Sequence, residues 1–359
     1  MLRRLLHNTL IIINILSALG LLVCYLSTHI SPEQFWIPSV IALGYPFILA
    51  INIIFILYWT VRLKVAVLIS ITAIALGFNH LRAFARITFK NEAEDVADIG
   101  LITYNCNLFG VYQNGKPHER ATQIIEYALR EKRNLVCLQE FYVNERFGED
   151  DVRRKLRMNS HISYIKGDGQ KTGFGMATFS RFPIVRRGEL QFANTNNGCI
   201  YTDITVNGDT IRIYNVHLQS IRLQEHHLQF IQNVGSGTNR DVAQAETSDI
   251  ARRLHGAFVK RAVQADSIAS HVRRCPYAVI ICGDFNDPPV SYTYRRLAHS
   301  RCDAFIESGR GIMPTYRRLW SMLRIDHVLH SKQLRALHCH SPRLEYSDHF
   351  PVLTDFALN

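Results

Sequence analysis

Three long apolar runs open the chain. Behind them the pattern changes to short β-rich runs alternating with amphipathic helices. The first run, Leu10 to Leu26, is broken only by Asn14, Ser17 and the small residues Ala18 and Gly20. As a helix it covers ~26 Å, close to the thickness of a bilayer core. The second, Ile37 to Trp59, closes on Tyr58 and Trp59, residues that favour the membrane interface. Its Pro46 is costly in a soluble helix but tolerated in a membrane one. The third, Val65 to Phe78, fits either a span or a buried helix by its length, and His80 to Phe84 extends it. A cleaved leader accounts for Arg3, Arg4 and the first run but not for the other two. The pattern predicts two or three transmembrane helices within residues 1–90, with spans near 10–26, 37–59 and 65–84.

A polar stretch from Lys90 to Asp98 is the natural boundary, and a second region occupies residues 99–359. Ile99 to Tyr104 and Leu135 to Gln139 read as buried strands on either side of a helix over Glu119 to Arg133. In that helix Ala121, Ile124, Ile125, Ala128 and Leu129 fall on one face. Tyr201 to Val206 and Thr210 to Leu218 flank Asn207-Gly208-Asp209, a hairpin signal. Val259 to Val272 is helical in period, and Ala278 to Cys282, Ile325 to His330 and Val352 to Ala357 are further strands. Gln219 to Gly256 is polar, with Gly235 to Gly237 interrupting it, and reads as an inserted helix, loop and helix near the mouth of the site. Strands mixed with helices in this way imply an α/β (α+β) domain with its sheets covered by helices.

Charge changes the picture little. The net charge is +11 over 359 residues, but residues 1–90 hold seven basic side chains against Glu33, so the excess over the rest is mild. It therefore does not identify a nucleic-acid binder. The positions of the charges do bear on topology. Arg3 and Arg4, then Arg62 and Lys64, mark the N-terminus and the second loop as inside. Three spans then place the second region on the extracytoplasmic side of an integral membrane protein, although Arg82, Arg86 and Lys90 pull the other way. Of eight cysteines, Cys24 lies in an apolar run and no Cys-x-x-Cys spacing marks a zinc site. Cys106, Cys137 and Cys282 read as small buried thiols, and a disulfide among Cys199, Cys275, Cys302 and Cys339 stays open.

Polar residues recur where the predicted strands end. Asn105 closes the first, Glu140 follows Leu135 to Gln139, and His217 lies in Asn215-Val216-His217-Leu218. Asp284 and Asn286 lie in Gly283-Asp284-Phe285-Asn286-Asp287, Asp326 follows Ile325, and Asp348-His349 precede Phe350-Pro351-Val352. Taken singly, each has a plain structural reading: a cap, a turn, or a satisfied core histidine. Taken together, so many acidic, amide and imidazole groups are costly to bury unless they serve a metal, a phosphate or one another. Carboxylates are hard ligands for Mg²⁺ or Mn²⁺, and imidazoles move protons. The inventory suits attack of water on a phosphoester.

The ordered set Tyr-Asn, Leu-Gln-Glu, Asn-x-His-Leu, Gly-Asp-Phe-Asn, Ile-Asp-His and Ser-Asp-His-x-Pro-Val resembles the endonuclease/exonuclease/phosphatase superfamily from about Ile99 to Leu358. The resemblance implies a four-layer α/β/β/α sandwich with its site where two central sheets open at one edge. It implies Glu140 as principal metal ligand, with Asn105 and Asp348 near the cation, which would be Mg²⁺ or Mn²⁺. It implies His349 as the catalytic histidine oriented by Asp326, Asp284 on the nucleophile, Asn286 on the phosphate, and His217 as a second histidine at the leaving oxygen. Ser180 and Arg181, in Gly175 to Pro183, are weaker candidates. The histidine in Asn-Val-His-Leu is closer to the deoxyribonuclease and sphingomyelinase branches than to abasic-site endonucleases. The chain thus reads as a membrane-anchored phosphodiesterase, a nuclease first and a lipid or small-molecule phosphoesterase second. A catalytically silent receptor for phosphorylated ligands is the third reading. The partners implied are a phosphate-ester substrate, nucleic acid or lipid headgroup, and a lipid bilayer; no protein partner can be inferred.

Overall fold

The computed structural model describes residues 1–86, 96–111, 116–167, 172–232, 240–318 and 322–359. Most of the expected polar boundary (residues 90–95) and the Gly235 to Gly237 interruption lie outside the described residues. The chain divides into two compact units: Met1–Phe84 with Leu223–Ala262 and Pro288–Arg295, and Ala85–Arg222 with Val263–Asp287 and Arg296–Asn359.

In the first unit the leading apolar run forms one unbroken helix, α1 (Leu2–Ser27), of which Arg3–Ser27 is long and apolar enough to cross a membrane. The second run is two helices, α2 (Ile37–Leu43) and α3 (Tyr45–Val61), bent by 63° at Gly44 just before Pro46. The third is also two, α4 (Val67–Leu76) and α5 (Phe78–Phe84), bent by 75° at Gly77. The Tyr25 ring fills the space that a side chain at Gly77 would need. Among the described residues one helix is long and apolar enough to cross a membrane, or up to three spans if each bent pair is one. The sequence pattern could not see these breaks, because Gly44 and Gly77 interrupt hydrophobicity hardly at all.

A fully buried polar network joins three of these helices. Asn14 Nδ2 donates to Ser70 Oγ at 2.6 Å, Ser70 Oγ donates to Asn52 Oδ1 at 2.9 Å, and Trp59 Nε1 donates to Asn14 Oδ1 at 2.9 Å. Where apolar side chains gain nothing by leaving lipid, such mutual satisfaction holds helices in register. The residues that interrupt the apolar runs are therefore the ones that join them. Two further helices of the insert, α8 (Glu225–Gln232) and α9 (Arg240–Arg273), were expected as a helix, loop and helix followed by a separate helix over Val259 to Val272. That last helix is instead the C-terminal part of α9.

The second unit is built on two six-stranded sheets. One has the order β13 (Leu334–His340), β14 (Val352–Leu358), β2 (Ile99–Asn105), β3 (Leu135–Asn144), β5 (Thr172–Ser180), β4 (Asn159–Gly167). The other runs β10 (Cys302–Asp303), β12 (Asp326–His330), β9 (Ala278–Asp284), β8 (Asp209–His217), β7 (Gly198–Val206), β6 (Ile184–Gln191). Each contains a single parallel pair, β2 with β3 and β8 with β9. A small ribbon joins β1 (Ala85–Arg86) to β11 (Gly311–Ile312). Ile99, Leu101, Leu135 and Cys137 of the first sheet pack with Ile204, Ile211, Ile213 and Ile280 of the second to make the inner core. The outer face of the first sheet is covered by α6 (Pro117–Arg130) and α7 (Glu149–Leu156) through Ile124, Ile125, Ala128, Val152 and Leu156. On the second sheet Tyr214 Oη meets His271 Nδ1 of α9 at 2.8 Å. Short helices α10 (Tyr292–Ala298) and α11 (Ala304–Ser308) complete the chain. The result is the expected α/β/β/α layering. All eight cysteines are free, so the disulfide left open by the sequence does not form.

Polar ties also cross between the sheets. His161 of β4 faces Thr202 of β7, with Nδ1 2.8 Å from the hydroxyl. Burial, and secondarily Arg187, lower its pKa from 6.5 to about 4. Because the folded value lies below the unfolded one, the folded form binds fewer protons under pH 6.5. His161 therefore contributes no penalty above that pH and costs up to about 3 kcal/mol as the pH falls toward about 4. Urea denaturation of the full chain at about pH 7 and about pH 4.5 tests this. His161→Gln should flatten the acid loss of stability, and an unchanged acid slope would count against the assignment.

Candidate active site

Strand register accounts for most of the site. His217 ends β8 directly opposite Asp284 at the end of β9, and Asp284 lies opposite Asp326 at the start of β12. Three neighbouring strands thus present an imidazole and two carboxylates abreast along one sheet edge. The other sheet presents Asn105 at the end of β2, in register with Gln139 of β3. β3 then bulges between Leu138 and Phe141, and Glu140 within the bulge has φ +50°. A left-handed backbone at a non-glycine residue is strained, and bulges characteristically re-aim a side chain. Gly283, at φ +131°, precedes Asp284 where a Cβ would fall 2.0 Å from the Val216 carbonyl oxygen. Only glycine lets β9 approach β8 this closely.

Asp284 is the hub. Its Oδ2 accepts from Asn105 Nδ2 and from Asn286 Nδ2, each at 2.9 Å, and its Oδ1 accepts from the Asn286 N–H at 2.7 Å. Asn286, itself at φ +53°, also donates Nδ2 to the Leu218 carbonyl at 2.9 Å. His349 Nδ1 lies 2.9 Å from Asp326 Oδ2, while its Nε2 faces Asp284 Oδ2 at 3.8 Å. His217 Nε2 is buried without a hydrogen-bond partner, 3.5 Å from Glu140 Oε1 and 3.7 Å from Asp284 Oδ2.

The electrostatics follow from crowding charge in a buried edge. Burial raises the Asp284 carboxyl, with His349 opposing and Asp326 adding to the rise. Burial also raises Glu140, with His349 opposing it and the nearby Asp348 charge reinforcing it. Burial alone would lower His349, but Asp326 and Asp284 overcome it and push the imidazole up to about 10. His217 goes the other way, down to about 4, because burial outweighs its carboxylate neighbours. The two histidines are thus poised differently: one readily carries a proton and the other does not.

Loops hold these groups in place. Thr315 Oγ1 accepts the N–H groups of Ile325 and Asp326, each at 3.0 Å, and the Thr315 carbonyl accepts from Phe350 N at 2.7 Å. Arg317 N donates to the Asp348 carbonyl at 2.8 Å, and the Tyr316 ring lies 5.0 Å from that of His349. Ser347 Oγ donates to the Asn105 carbonyl at 2.8 Å and accepts from His349 N at 3.2 Å. Beside Asp348 a depression of about 290 Å³ is lined by Arg120, Arg317, Arg318, Glu345 and Ser347.

All eight expected residues, Asn105, Glu140, His217, Asp284, Asn286, Asp326, Asp348 and His349, therefore lie in this region. Asp348 is the least central by contact, with Arg318 Nε 3.7 Å from its Oδ2. Ser180 is committed elsewhere, its hydroxyl bonded to Phe182 at the far end of β5. The sequence pattern offers no signal for Thr315 or the arginines, whose loops carry no strand pattern. Gln139, Asn215 and Ser347 enter it only as motif letters. In the structure Gln139 Nε2 donates to Asn215 Oδ1 at 2.7 Å and to Thr103 Oγ1 at 3.0 Å, and Asn215 Nδ2 donates to the Ala177 carbonyl at 3.0 Å. This fully buried amide pair bridges the two sheets immediately beneath Glu140 and His217.

Residues 102–349 match the profile of the Endonuclease/Exonuclease/phosphatase family. The chain belongs to that family. Its members are typically metal-dependent phosphoester hydrolases that use divalent ions. Residues 7–84 match a second profile, described as a domain of unknown function (DUF8431). No curated protein matches the chain by sequence. Among solved structures, the fold is similar to the human Nocturnin catalytic domain, at TM-score 0.52 and 18% identity over 74% of this chain and 96% of that one. It is similar to Caenorhabditis elegans TDP2, at TM-score 0.51 and 15% identity over 72% of this chain and 97% of that one. A family protein from Beutenbergia cavernae has TM-score 0.51 and 15% identity over 73% and 72%.

The inter-sheet amide pair makes a prediction. Gln139→Leu leaves the Asn215 oxygen without its shortest donor in a dry interior, and should cost about 1–3 kcal/mol of stability. Urea denaturation measures it. A variant as stable as the parent would show that the bridge is not what ties the sheets together.

Proposed function

We propose that this chain is a membrane-anchored, divalent-metal-dependent phosphodiesterase acting first on nucleic acid. The observation that carries the reading is the His349–Asp326 pair at 2.9 Å, its second ring nitrogen turned toward Asp284. The carboxylates that raise His349 make its unprotonated ring a strong base: in that form Nε2 takes a proton from the attacking water, while Asp326 accepts the Nδ1–H, fixes the ring and stabilises the imidazolium that results. Asp284, held by Asn105 and Asn286, orients that water. Both Asn286 amide bonds run to Asp284 and Leu218, so its part is positioning as much as gripping phosphate. His217 offers Nε2, the buried ring nitrogen without a partner, to the substrate oxygens on the leaving side.

Glu140, Asn105 and Asp348 would hold the Mg²⁺ or Mn²⁺. They fit it: the donors are hard oxygens, and Glu140 is aimed inward by a strained bulge while the charge of Asp348 reaches it. The bound cation would offset the negative charge that builds on the phosphate oxygens.

Substrate class is supported by the arginines. Arg120, Arg317 and Arg318 line the depression at Asp348, and the Arg222 charge reaches Glu140 and His217. Such a rim suits a polyanion with phosphates beyond the one being cut. A lipid phosphodiester is the second reading, favoured by the apolar helix Arg3–Ser27 and the bent pairs that follow. Anchoring follows from the same helices. Within their unit Trp36 stacks near His255, at 5.2 Å between ring centroids, and His29 contacts Arg295. Those contacts support placing residues 255 and 295 on the side of the first loop, opposite Arg3, Arg4, Arg62 and Lys64. With positive residues inside, that side is extracytoplasmic.

The purified full chain should cleave plasmid DNA or RNA with Mg²⁺ or Mn²⁺ in preference to sphingomyelin or phosphatidylinositides, and EDTA should abolish cleavage. His349→Ala should lower turnover by at least ~10²-fold; near-normal turnover in a folded variant defeats the assignment. A reporter fused after Asn359 should be active only outside the cytoplasm, and activity confined to the cytoplasm reverses the topology.

A further inference from the structure

Among the described residues, two side-chain clusters outside the catalytic edge bring metal-binding atoms within 4.8 Å of one another, His226/His227/Glu246 and Cys302/Glu307/His330. Hydrogen-bond direction separates them. In the first, the Gln224 N–H donates to His227 Nδ1 at 3.0 Å, so Nε2 carries the proton and gives it to Asp249 at 2.9 Å. His227 has no lone pair left for an ion unless that backbone bond breaks. In the second, His330 Nδ1 lies 3.0 Å from the Ser331 carbonyl, which can only accept. The proton is therefore on Nδ1 and Nε2 is turned inward. Metal-ligating histidines characteristically give their other N–H to a carbonyl in just this way.

His330 is fully buried, and its Nε2 makes no aligned hydrogen bond although Glu307 Oε2 is 2.8 Å away. Cys302 lies directly opposite His330 across the β10–β12 pair, and Glu307 comes from α11 immediately after. Ser331 is pinned in turn, its hydroxyl and N–H bonded to Val279 N and O at 2.9 Å each, and Glu307 Oε2 also accepts from Ala336 N at 3.3 Å. Cys302 is partly exposed and Glu307 exposed, so the cluster opens to solvent on their side while His330 closes it from within. His330 and Asp326 occupy opposite ends of β12, so the cluster is separate from the catalytic edge.

We propose that Cys302, Glu307 and His330 form a second metal site, of the zinc class. Thiolate, imidazole and carboxylate with a fourth position left to water is a zinc donor set. Zinc bonds of about 2.0–2.3 Å require the His330–Glu307 separation to widen by only a few tenths of an ångström. The competing arrangement is an imidazolium–carboxylate ion pair with no ion and no part for Cys302.

The full-length protein in detergent, stripped with EDTA and dialysed, is titrated with Co²⁺ and then with Zn²⁺. A thiolate-to-cobalt charge-transfer band should appear and be displaced by Zn²⁺, and it should be absent from Cys302→Ser. Glu307→Gln, on a half-exposed helix face, should fold and weaken Zn²⁺ binding at least ~10-fold. Zn²⁺ should raise the thermal midpoint of the parent and not of Cys302→Ser, and phosphodiesterase turnover at saturating Mg²⁺ should be the same in both. No charge-transfer band in the parent overturns the proposal. A band that survives in Cys302→Ser also overturns it, pointing to another thiol such as Cys106.

Discussion

Two sheets that pack face to face have no reason to present polar groups at one edge unless something polar crosses between them. In this chain the crossing is the Gln139–Asn215 pair, 2.7 Å long and wholly buried. A buried amide needs partners: Gln139 Nε2 serves the Asn215 oxygen across the inter-sheet gap, and Asn215 Nδ2 donates back across it to the Ala177 carbonyl. Each also sits next to, or two residues before, a side chain of the site: Glu140 after Gln139, and His217 after Asn215. Fixing the pair fixes the relative register of the two strand ends. His161–Thr202 makes a second tie farther along the same gap. The inner apolar core holds the sheets together, but it does not specify their offset; directional bonds do.

Given that offset, the polar edge concentrates negative charge where burial disfavours it. Asp326 adds to the rise of the Asp284 carboxyl, and Asp348 to that of Glu140. The apparent conflict is resolved by donors from both sheets: Asn105, the Asn286 side-chain and backbone amides, and the His349 imidazole. At this edge the His217 Nε2 is left without a hydrogen-bond partner. The left-handed backbone at Glu140 and Asn286 is the local cost of that arrangement.

The N-terminal helices follow the same physics in an apolar setting. Asn14, Asn52, Ser70 and Trp59 satisfy one another among the packed apolar helices. A hydropathy reading treats Asn14 as a flaw in a span, whereas in the structure it is the point where three helices meet.

The sequence by itself determined the layers and the cast. Period-2 and period-3.6 runs located the central strands and α6. Hydrophobicity located the apolar segments, and the eight polar residues at strand ends were legible because each breaks a buried run. Edge strands were not legible: β6 reads Ile184-Val185-Arg186-Arg187-Gly188-Glu189-Leu190-Gln191, largely exposed and charged, as an edge protected from further pairing must be. The unity of α9 was hidden by its polar N-terminal half, and the bends at Gly44 and Gly77 by residues that leave hydropathy intact. Only the tertiary structure decided which atoms meet: Asp326 with His349 Nδ1, Asn286 with Asp284 and Leu218, Gln139 with Asn215. The physical reason is that hydrophobic period is a property of neighbours along the chain. Hydrogen-bond direction, by contrast, is set by groups dozens of residues apart that share a position only after the sheets have closed.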